Sequence, residues 1–409
     1  MLEGVHVALG VTGSIASVKV VELAHELRRN GASVRAVMTD SARQIVHPWA
    51  VEFATEHEVV TEITGGVEHV ELCGRAGWAD VYLIAPATAN TVGKIAGAID
   101  DTPVTTTATT ALGSDLPVVI APAMHEPMYD HPGVLDAIDR VESWGVQFVD
   151  PRIEEGKAKI PTEDAIAVEV ARAARRGRDD LPLAGRTVVV TAGATAESID
   201  PVRVLTNRAS GKMGRAVARA LYVRGADVTL IHGVVGPRPL SAGRIDPARD
   251  DPAVPYATLV EAEDSEGMLE AIETAIADAD ALVAAAAIGD YTTDEHADKL
   301  RSGQDLSLDL SPTPKLIDGA REARPDIPIV GFKTETSGDD EAMATAARAI
   351  MDRANLSFVV ANDASVMGAD ETRALIVDED DVTPIAGSKL EVAGTIAEEV
   401  AAILAPAVE

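Results

Sequence analysis

Residues 5 to 39 run strand, helix, strand. 'VHVAL' (5–9) is a short apolar run, 'VKVVELAHELRRNG' (18–31) carries apolar residues at helical spacing and stops at Gly31, and 'VRAVMT' (34–39) returns to the short apolar pattern. Two such strands joined by one helix are parallel, because a hairpin loop cannot make that connection and a crossover helix can. 'VYLIAP' (81–86) and 'PVVIAPAM' (117–124) extend the series, so the first half reads as a doubly wound α/β sheet.

The pattern breaks at 'RRGRDDLPLAG' (175–185), where charge, Pro182 and Gly185 mark a linker. A second series follows: 'TVVVTAG' (187–193), a helix from about Lys212 to Arg224, 'DVTLIHG' (227–233), 'ALVAAAAIGDY' (281–291), 'PIVGF' (328–332) and 'SFVVAND' (357–363). An edge hairpin at 374–386 and a closing helix at 393–404 complete it, and 'GPRPLSAGRIDPARDDPAVPY' (236–256) reads as a long surface connection. The expected architecture is two doubly wound Rossmann-like domains, residues 1–178 and 184–409, which suits a chain of 409 residues.

Composition agrees with that class, since 46% of residues are apolar but only 3% aromatic, the Ala- and Val-rich balance of helices packed closely on parallel strands. The chain has 35 basic and 66 acidic residues, a formal −31, with nine lysines. Self-repulsion of that size is tolerable where salt screens it, which points to a salt-adapted cytoplasm such as a halophilic archaeon's and away from nucleic acid as a partner. Cys73 is the single cysteine, so neither an intrachain disulfide nor a cysteine-based zinc cluster is available. No basic segment precedes the first apolar run and no run reaches about 20 residues, so a soluble cytoplasmic protein without membrane contact is expected.

'GVTGSIAS' (10–17) follows a strand and opens a helix. Gly10 and Gly13 permit a tight turn, and the N–H groups of Ser14, Ile15 and Ala16 would face an anion; taken alone the segment is either a phosphate site or a plain turn. Its spacing is not the dinucleotide fingerprint. 'MTDSA' (38–42) and 'APATANT' (85–91) place hydroxyls and an amide just beyond two further strands, on the edge where open sheets bind ligands. Together with 'EHVEL' (68–72) and 'PAMHEPMY' (122–129), these segments resemble the flavin-dependent cysteine decarboxylases, in the phosphopantothenoylcysteine decarboxylase branch, over residues 1 to about 178.

The resemblance implies a flavodoxin-like flavoprotein domain whose FMN phosphate rests on Gly13, Ser14, Ile15 and Ala16. Thr39, Ser41, Thr88, Asn90 and Met124 are its further flavin contacts, and His69 is its catalytic histidine. Two departures stand out. His125 occupies the position of an asparagine that binds the substrate carboxylate, and the flap 'DPRIEEGKAKIP' (150–161) lacks the cysteine that donates a proton in bacterial members. Lys157, Lys159 and His125 are candidates for that donor; Cys73, four residues after His69, reads as a small buried residue.

'TAGATAESIDPVRVLTNRASGKMG' (191–214) ends a strand, makes a polar excursion and enters a helix, and it lacks the phosphate-loop pattern of an NTPase. With 'AAIGDY' (286–291), 'DKL' (298–300), 'PTPKLI' (312–317), 'VGFKTET' (330–336) and 'VAND' (360–363), it resembles phosphopantothenate–cysteine ligase from about residue 184 onward. That resemblance implies CTP activation of a carboxylate as an acyl-cytidylate, with Mg2+ or Mn2+ accompanying the triphosphate. Asn207 would steady the acyl-cytidylate; Ala286, Ala287, Asp290, Lys299, Pro314, Lys315, Leu316, Ile317 and Phe332 would contact CTP. Two lysines expected on the helix before 'VAND' are absent, and Arg348 and Arg353 are the cations there.

The expected protein is a bifunctional enzyme of coenzyme A biosynthesis that ligates cysteine to 4′-phosphopantothenate and decarboxylates the product to 4′-phosphopantetheine. The resemblance further implies a homo-oligomer, with trimeric decarboxylase contacts and dimeric ligase contacts. The rivals are a dinucleotide-dependent oxidoreductase, disfavoured by the missing fingerprint, and an active ligase carrying a decayed flavin-binding domain.

Overall fold

The computed structural model describes residues 1–154, 157–178, 180–233, 254–301, 303, 306–335, 339–363 and 371–405. The chain divides into two compact units, Met1–Leu181 and Pro182–Glu409. Most of the expected 236–256 connection lies outside the described residues.

The first unit is built on a five-stranded sheet. Its strands are β1 (His6–Val11), β2 (Ser33–Met38), β3 (Val81–Ala87), β4 (Val118–Pro122) and, beyond the two-residue β5 (Met124–His125), β6 (Gln147–Phe148). Their spatial order is β2-β1-β3-β4-β6 and every pairing is parallel. β3 is buried at all seven positions, as a central strand covered on both faces must be. The helix Val20–Arg29 buries Val20, Leu23, Ala24 and Leu27, one stripe at helical spacing; burial of each Val or Leu side chain contributes about 1.5–3 kcal/mol. The expected strand 117–124 is split. The Ala123 N–H closes the ladder on the Ala87 carbonyl (2.9 Å), and β5 then joins β7 (Arg152–Glu154) and β8 (Lys157–Lys159) in a separate small sheet of order β5-β8-β7.

The second unit has β9 (Thr187–Ala192), the hairpin β10 (Ala196–Asp200) and β11 (Arg203–Thr206), β12 (Asp227–Gly233), β13 (Thr258–Ala262), β14 (Ala281–Ala284), the short pair β15 (Tyr291–Thr292) and β16 (Ser311–Pro312), β17 (Ile329–Glu335), β18 (Phe358–Asp363), β19 (Glu371–Val377) and β20 (Val382–Ser388). Its eight-stranded sheet runs β13-β12-β9-β14-β17-β18-β19-β20. The first six are parallel in the dinucleotide-fold order, and β19 and β20 add an antiparallel edge, the expected hairpin. Val189, Ile231, Leu282, Ile329 and Val359 face one core beneath the helices Ser265–Ala275, Leu316–Ala323 and Asp340–Ala354. The closing helix begins at Lys389, four residues before the expected start, because Ser388 and Glu391 form a reciprocal capping box.

The strand expected over 281–291 stops at Ala284. Ala286 donates its N–H to Thr191 Oγ1 (3.1 Å) and Ala287 to the Gly193 carbonyl (2.8 Å), so the chain turns across the end of β9 instead of extending the ladder.

Candidate functional site

In the first unit, the order β2-β1-β3 reverses chain direction across the sheet at β1, and the loops leaving β1, β2, β3 and β4 meet at that carboxyl edge. Thr12 Oγ1 donates to the Pro86 carbonyl (2.7 Å), Ser14 Oγ donates to the Ala123 carbonyl (3.4 Å), and the Thr39 N–H donates to the Val11 carbonyl (3.1 Å). Gly13 lies so close to the second loop that a Cβ there would stand 2.4 Å from Ser41 Oγ and 2.5 Å from Ser41 Cβ. Thr39 and Thr88 each cap a helix, accepting from the Ala42 and Thr91 N–H groups. Gly13, Ser14, Thr39, Ser41 and Thr88 are therefore brought together, with Asn90 exposed beside Thr88 and Met124 partly buried on the fourth loop.

The turn differs in one respect from the anion cradle expected. The Ser14 N–H is already bonded to the Thr12 carbonyl (2.9 Å), and the Ala16 N–H to the hydroxyl of Ser14, which caps the short 3-10 turn Ile15–Lys19. A phosphate there would share those donors with the turn. Thr12 and Ser17, whose hydroxyl donates to the Thr12 carbonyl (2.7 Å), were not among the expected residues; hydroxyls flanking the glycine turn are the signal for them.

His69 lies in the first turn of the helix Glu68–Cys73. Its Nδ1 is buried and, among the described residues, has no hydrogen-bond partner. A buried imidazole nitrogen without a partner is costly unless a ligand supplies one, so this atom fits a site completed by a bound group. Cys73 is fully buried against Tyr82 and Leu72, and burial pushes its thiol up to about 12. Burial also holds the Tyr82 hydroxyl, which donates to the Val104 carbonyl (2.9 Å), well above the ordinary phenol range. His125 is exposed at the start of the helix Glu126–Tyr129, and the backbone register sets it opposite Lys157 of the flap strand β8.

In the second unit, Asn207 Nδ2 donates to the Ala287 carbonyl (2.7 Å) and its Oδ1 accepts from the Ala209 N–H (2.9 Å). One contact thus joins 'NRASG' to 'AAIGDY', and one amide hydrogen and one lone pair of Asn207 remain for a ligand. The next loop is tied to the same segment: Thr313 Oγ1 donates to the Gly289 carbonyl (2.5 Å), Gly289 N–H to Thr195 Oγ1 (3.0 Å), and Lys315 Nζ lies 3.3 Å from Asp290 Oδ1. Gly211, before the helix Lys212–Val223, has φ +70 and sits where a Cβ would be 2.5 Å from His232 Nε2 and 2.9 Å from the Gly193 nitrogen. Pro314 is partly buried, Leu316 buried and Ile317 packed against the core, so a nucleotide would meet the backbone of Leu316 and Ile317 rather than their side chains.

Lys299 is exposed, and its loop is held by a clamp that sequence reasoning missed. Asp200 accepts from the N–H groups of Val202 (2.8 Å), Arg203 (2.9 Å) and Leu300 (3.1 Å), while Arg203 Nη2 donates to the Leu300 carbonyl (2.6 Å). Burial pushes the Asp200 carboxyl up, but those N–H groups and the Arg203 guanidinium outweigh it and hold the group below the ordinary carboxylate range. The 'DPVR' turn is the sequence signal: a carboxylate placed to accept from the next two amides.

Phe332 is partly buried on β17. Arg353, in the last turn of the helix Asp340–Ala354, pairs with Asp318 (2.7 Å), which lies in the first turn of the helix Leu316–Ala323 just after Lys315. Arg348, earlier on the helix Asp340–Ala354, is exposed. Among the described residues there is no cluster of three or more His, Cys, Asp or Glu placed to hold a metal ion, and no helix is long and apolar enough to cross a membrane.

Comparison with known proteins agrees with this division. Residues 1–175 match the family described as Flavoprotein, and residues 183–404 the family described as DNA/pantothenate metabolism flavoprotein C-terminal domain. The fold and the two families define a two-unit flavoprotein of pantothenate metabolism. The coenzyme A biosynthesis bifunctional protein CoaBC of Thermococcus kodakarensis is 46% identical over 385 residues, 93% of this chain and 90% of that protein. Its Bacillus subtilis counterpart is 34% identical over 423 residues, 98% of each. The FMN-dependent cysteine decarboxylase SpaF, a solved structure, is 33% identical with a TM-score of 0.38, covering 44% of this chain and 99% of its own. The chain belongs to the CoaBC family of bifunctional coenzyme A biosynthesis proteins.

Proposed function

We propose that the second unit joins cysteine to 4′-phosphopantothenate at the expense of CTP and that the first unit, with FMN, decarboxylates the product to 4′-phosphopantetheine. Membership in the family supports both activities, and the Asn207–Ala287 contact, which gathers the ligase loops at one sheet edge, carries the assignment of the site. In the ligase, a carboxylate is a poor electrophile, so CTP converts it to an acyl-cytidylate with loss of pyrophosphate and the cysteine amine then displaces CMP. Asn207 orients the acyl group with its free amide hydrogen. Lys299 and Lys315 neutralise the triphosphate, with Mg2+ or Mn2+ carried in on the phosphates.

In the decarboxylase, Gly13 to Ala16, Thr39, Ser41, Thr88, Asn90 and Met124 hold FMN, which when bound supplies two-electron oxidation of the thiol-bearing carbon and the return of those electrons. His69 moves the substrate's proton at Nδ1, the atom that has no hydrogen-bond partner among the described residues. His125 takes the substrate carboxylate in place of an amide. The enzyme works in the cytoplasm as a homo-oligomer, trimeric through the first unit and dimeric through the second; Ile15, Trp49 and Phe53, each at least three-quarters exposed, are apolar surface for such contacts.

The test is to purify the protein in high salt, record its flavin spectrum, supply phosphopantothenate, cysteine and CTP, and follow CMP and CO2. Both products with a bound flavin are expected. CMP without CO2 would leave a ligase with a decayed partner, and neither product would sink the assignment.

A further inference from the structure

We propose that Asn362 reads the nucleobase, accepting a hydrogen bond from the amino group of cytosine and so selecting CTP over UTP. The inference rests on the reading of the second unit as a CTP-dependent ligase.

Asn362 stands near the carboxyl end of β18, in register with Thr334 of β17. Side chains alternate along a strand, and Val359 and Ala361 face the core beneath the helices Leu316–Ala323 and Asp340–Ala354, so Asn362 projects from the opposite face. Phe332 pairs in register with Val360, which places Phe332 on that same face one pleat before Asn362. Ala284, Gly331 and Val359 lie in line across β14, β17 and β18; beyond that line, at the carboxyl edge, β14 leads into the Ala287 segment that Asn207 holds and β18 continues to Asn362. Asn362 therefore belongs to the edge that gathers the ligase residues.

Its Oδ1 is buried and, among the described residues, has no hydrogen-bond partner. Buried acceptors are matched by donors in the large majority of cases, so one left open at a ligand edge calls for a donor on the ligand. Cytosine presents an exocyclic amino donor where uracil presents a carbonyl acceptor. Oδ1 facing that position bonds the first base and meets a second acceptor on the other, and a site built on such a hydrogen bond discriminates against the analogue that lacks it.

The experiment compares kcat/KM for CTP and UTP in the full chain and in N362L and N362D, with thermal midpoints recorded for each. The unaltered enzyme should prefer CTP. N362L should narrow the CTP:UTP ratio by about ten- to a hundredfold. N362D, which keeps an acceptor, should hold the ratio within about threefold of the unaltered enzyme, because the discriminating bond is retained. A folded N362L with an unchanged ratio, or one whose loss appears in the KM for cysteine instead, overturns the role of Asn362. If N362L does not fold, an N362D whose ratio collapses overturns it equally. An unaltered enzyme that makes no CMP from CTP would fail the ligase reading itself, and the two failures are distinct.

Discussion

The contact between Gly13 and Ser41 yields a quantitative test of the flavin site. In Gly13→Ala the new methyl would lie 2.4 Å from Ser41 Oγ, 2.5 Å from Ser41 Cβ and 3.1 Å from the Ser41 carbonyl carbon. The first two separations are far inside van der Waals contact, so the loops after β1 and β2 must part. Overpacking of this kind costs about 1–3 kcal/mol. If the loops part only in the flavin-free protein, the whole cost falls on binding and flavin affinity drops about 5- to 150-fold. If they part in both states, the cost falls on stability, and a unit of this size should melt about 2–10 °C lower. Ser41→Gly removes both atoms responsible and leaves only the 3.1 Å approach, so the double variant should recover most of the loss. Flavin titration by absorbance and fluorescence, with thermal melts of the four proteins, completes the cycle. A Gly13→Ala protein with unaltered affinity and melting point, or a double variant no better than the single, would refute the close approach of the two loops.

The other expectations concern single groups and the charge of the whole chain. Cys73, with its thiol pushed up to about 12, should resist thiol reagents at pH 8 in the folded protein and react on unfolding, and Cys73→Ala should still release CO2. The stability gained by keeping that thiol neutral is complete below the unfolded thiol value of about 8.5 and is lost as pH rises toward about 12, which alkaline melts would follow. His125→Asn should release CO2 yet accumulate the unreduced ene-thiol product, and full turnover in that variant would remove His125 as the proton source. Asp200→Asn should raise the KM for CTP more than it lowers kcat, since it loosens the loop that carries Lys299, and a purely kcat effect would contradict that role. Raising salt from about 0.1 to 1 M shortens the screening length from about 10 to 3 Å, so the long-range repulsion between a −31 chain and CTP should fade and the KM for CTP should fall; a steady rise with salt would contradict this.

The alternation of strands and helices was legible because parallel strands buried on both faces, such as 'VYLIAP', have little choice but to be continuous apolar runs. What escaped the sequence were short elements without a strong apolar pattern. β13 is a half-buried edge strand paired only with β12, and β10–β11 is a small polar hairpin off the main sheet. Apolar patterning also overran the strand at 'ALVAAAAIGDY'. Alanines read the same in or out of a ladder, and it is the hydroxyl of Thr191, about 95 residues earlier, that draws Ala286 away.

The site was legible in its residue types and less so in its directions. Arg353, on the helix before 'VAND', pairs with Asp318 in the first turn of the helix after Lys315, a partner 35 residues away that residue patterning does not reveal. Likewise 'PTPKLI' resembles a binding loop, but the fold buries Leu316, packs the partly buried Ile317 against the core and leaves Lys315 exposed. The same reasoning runs forward for 'VAND'. Strand alternation sends Ala361 into the core and Asn362 to the face of Phe332, and only the strand register shows that its open acceptor lies at the carboxyl edge that β14 and the loop fixed by Asn207 share. An amide that the sequence shows only as part of 'VAND' becomes, through that register, a group placed to choose between two pyrimidines.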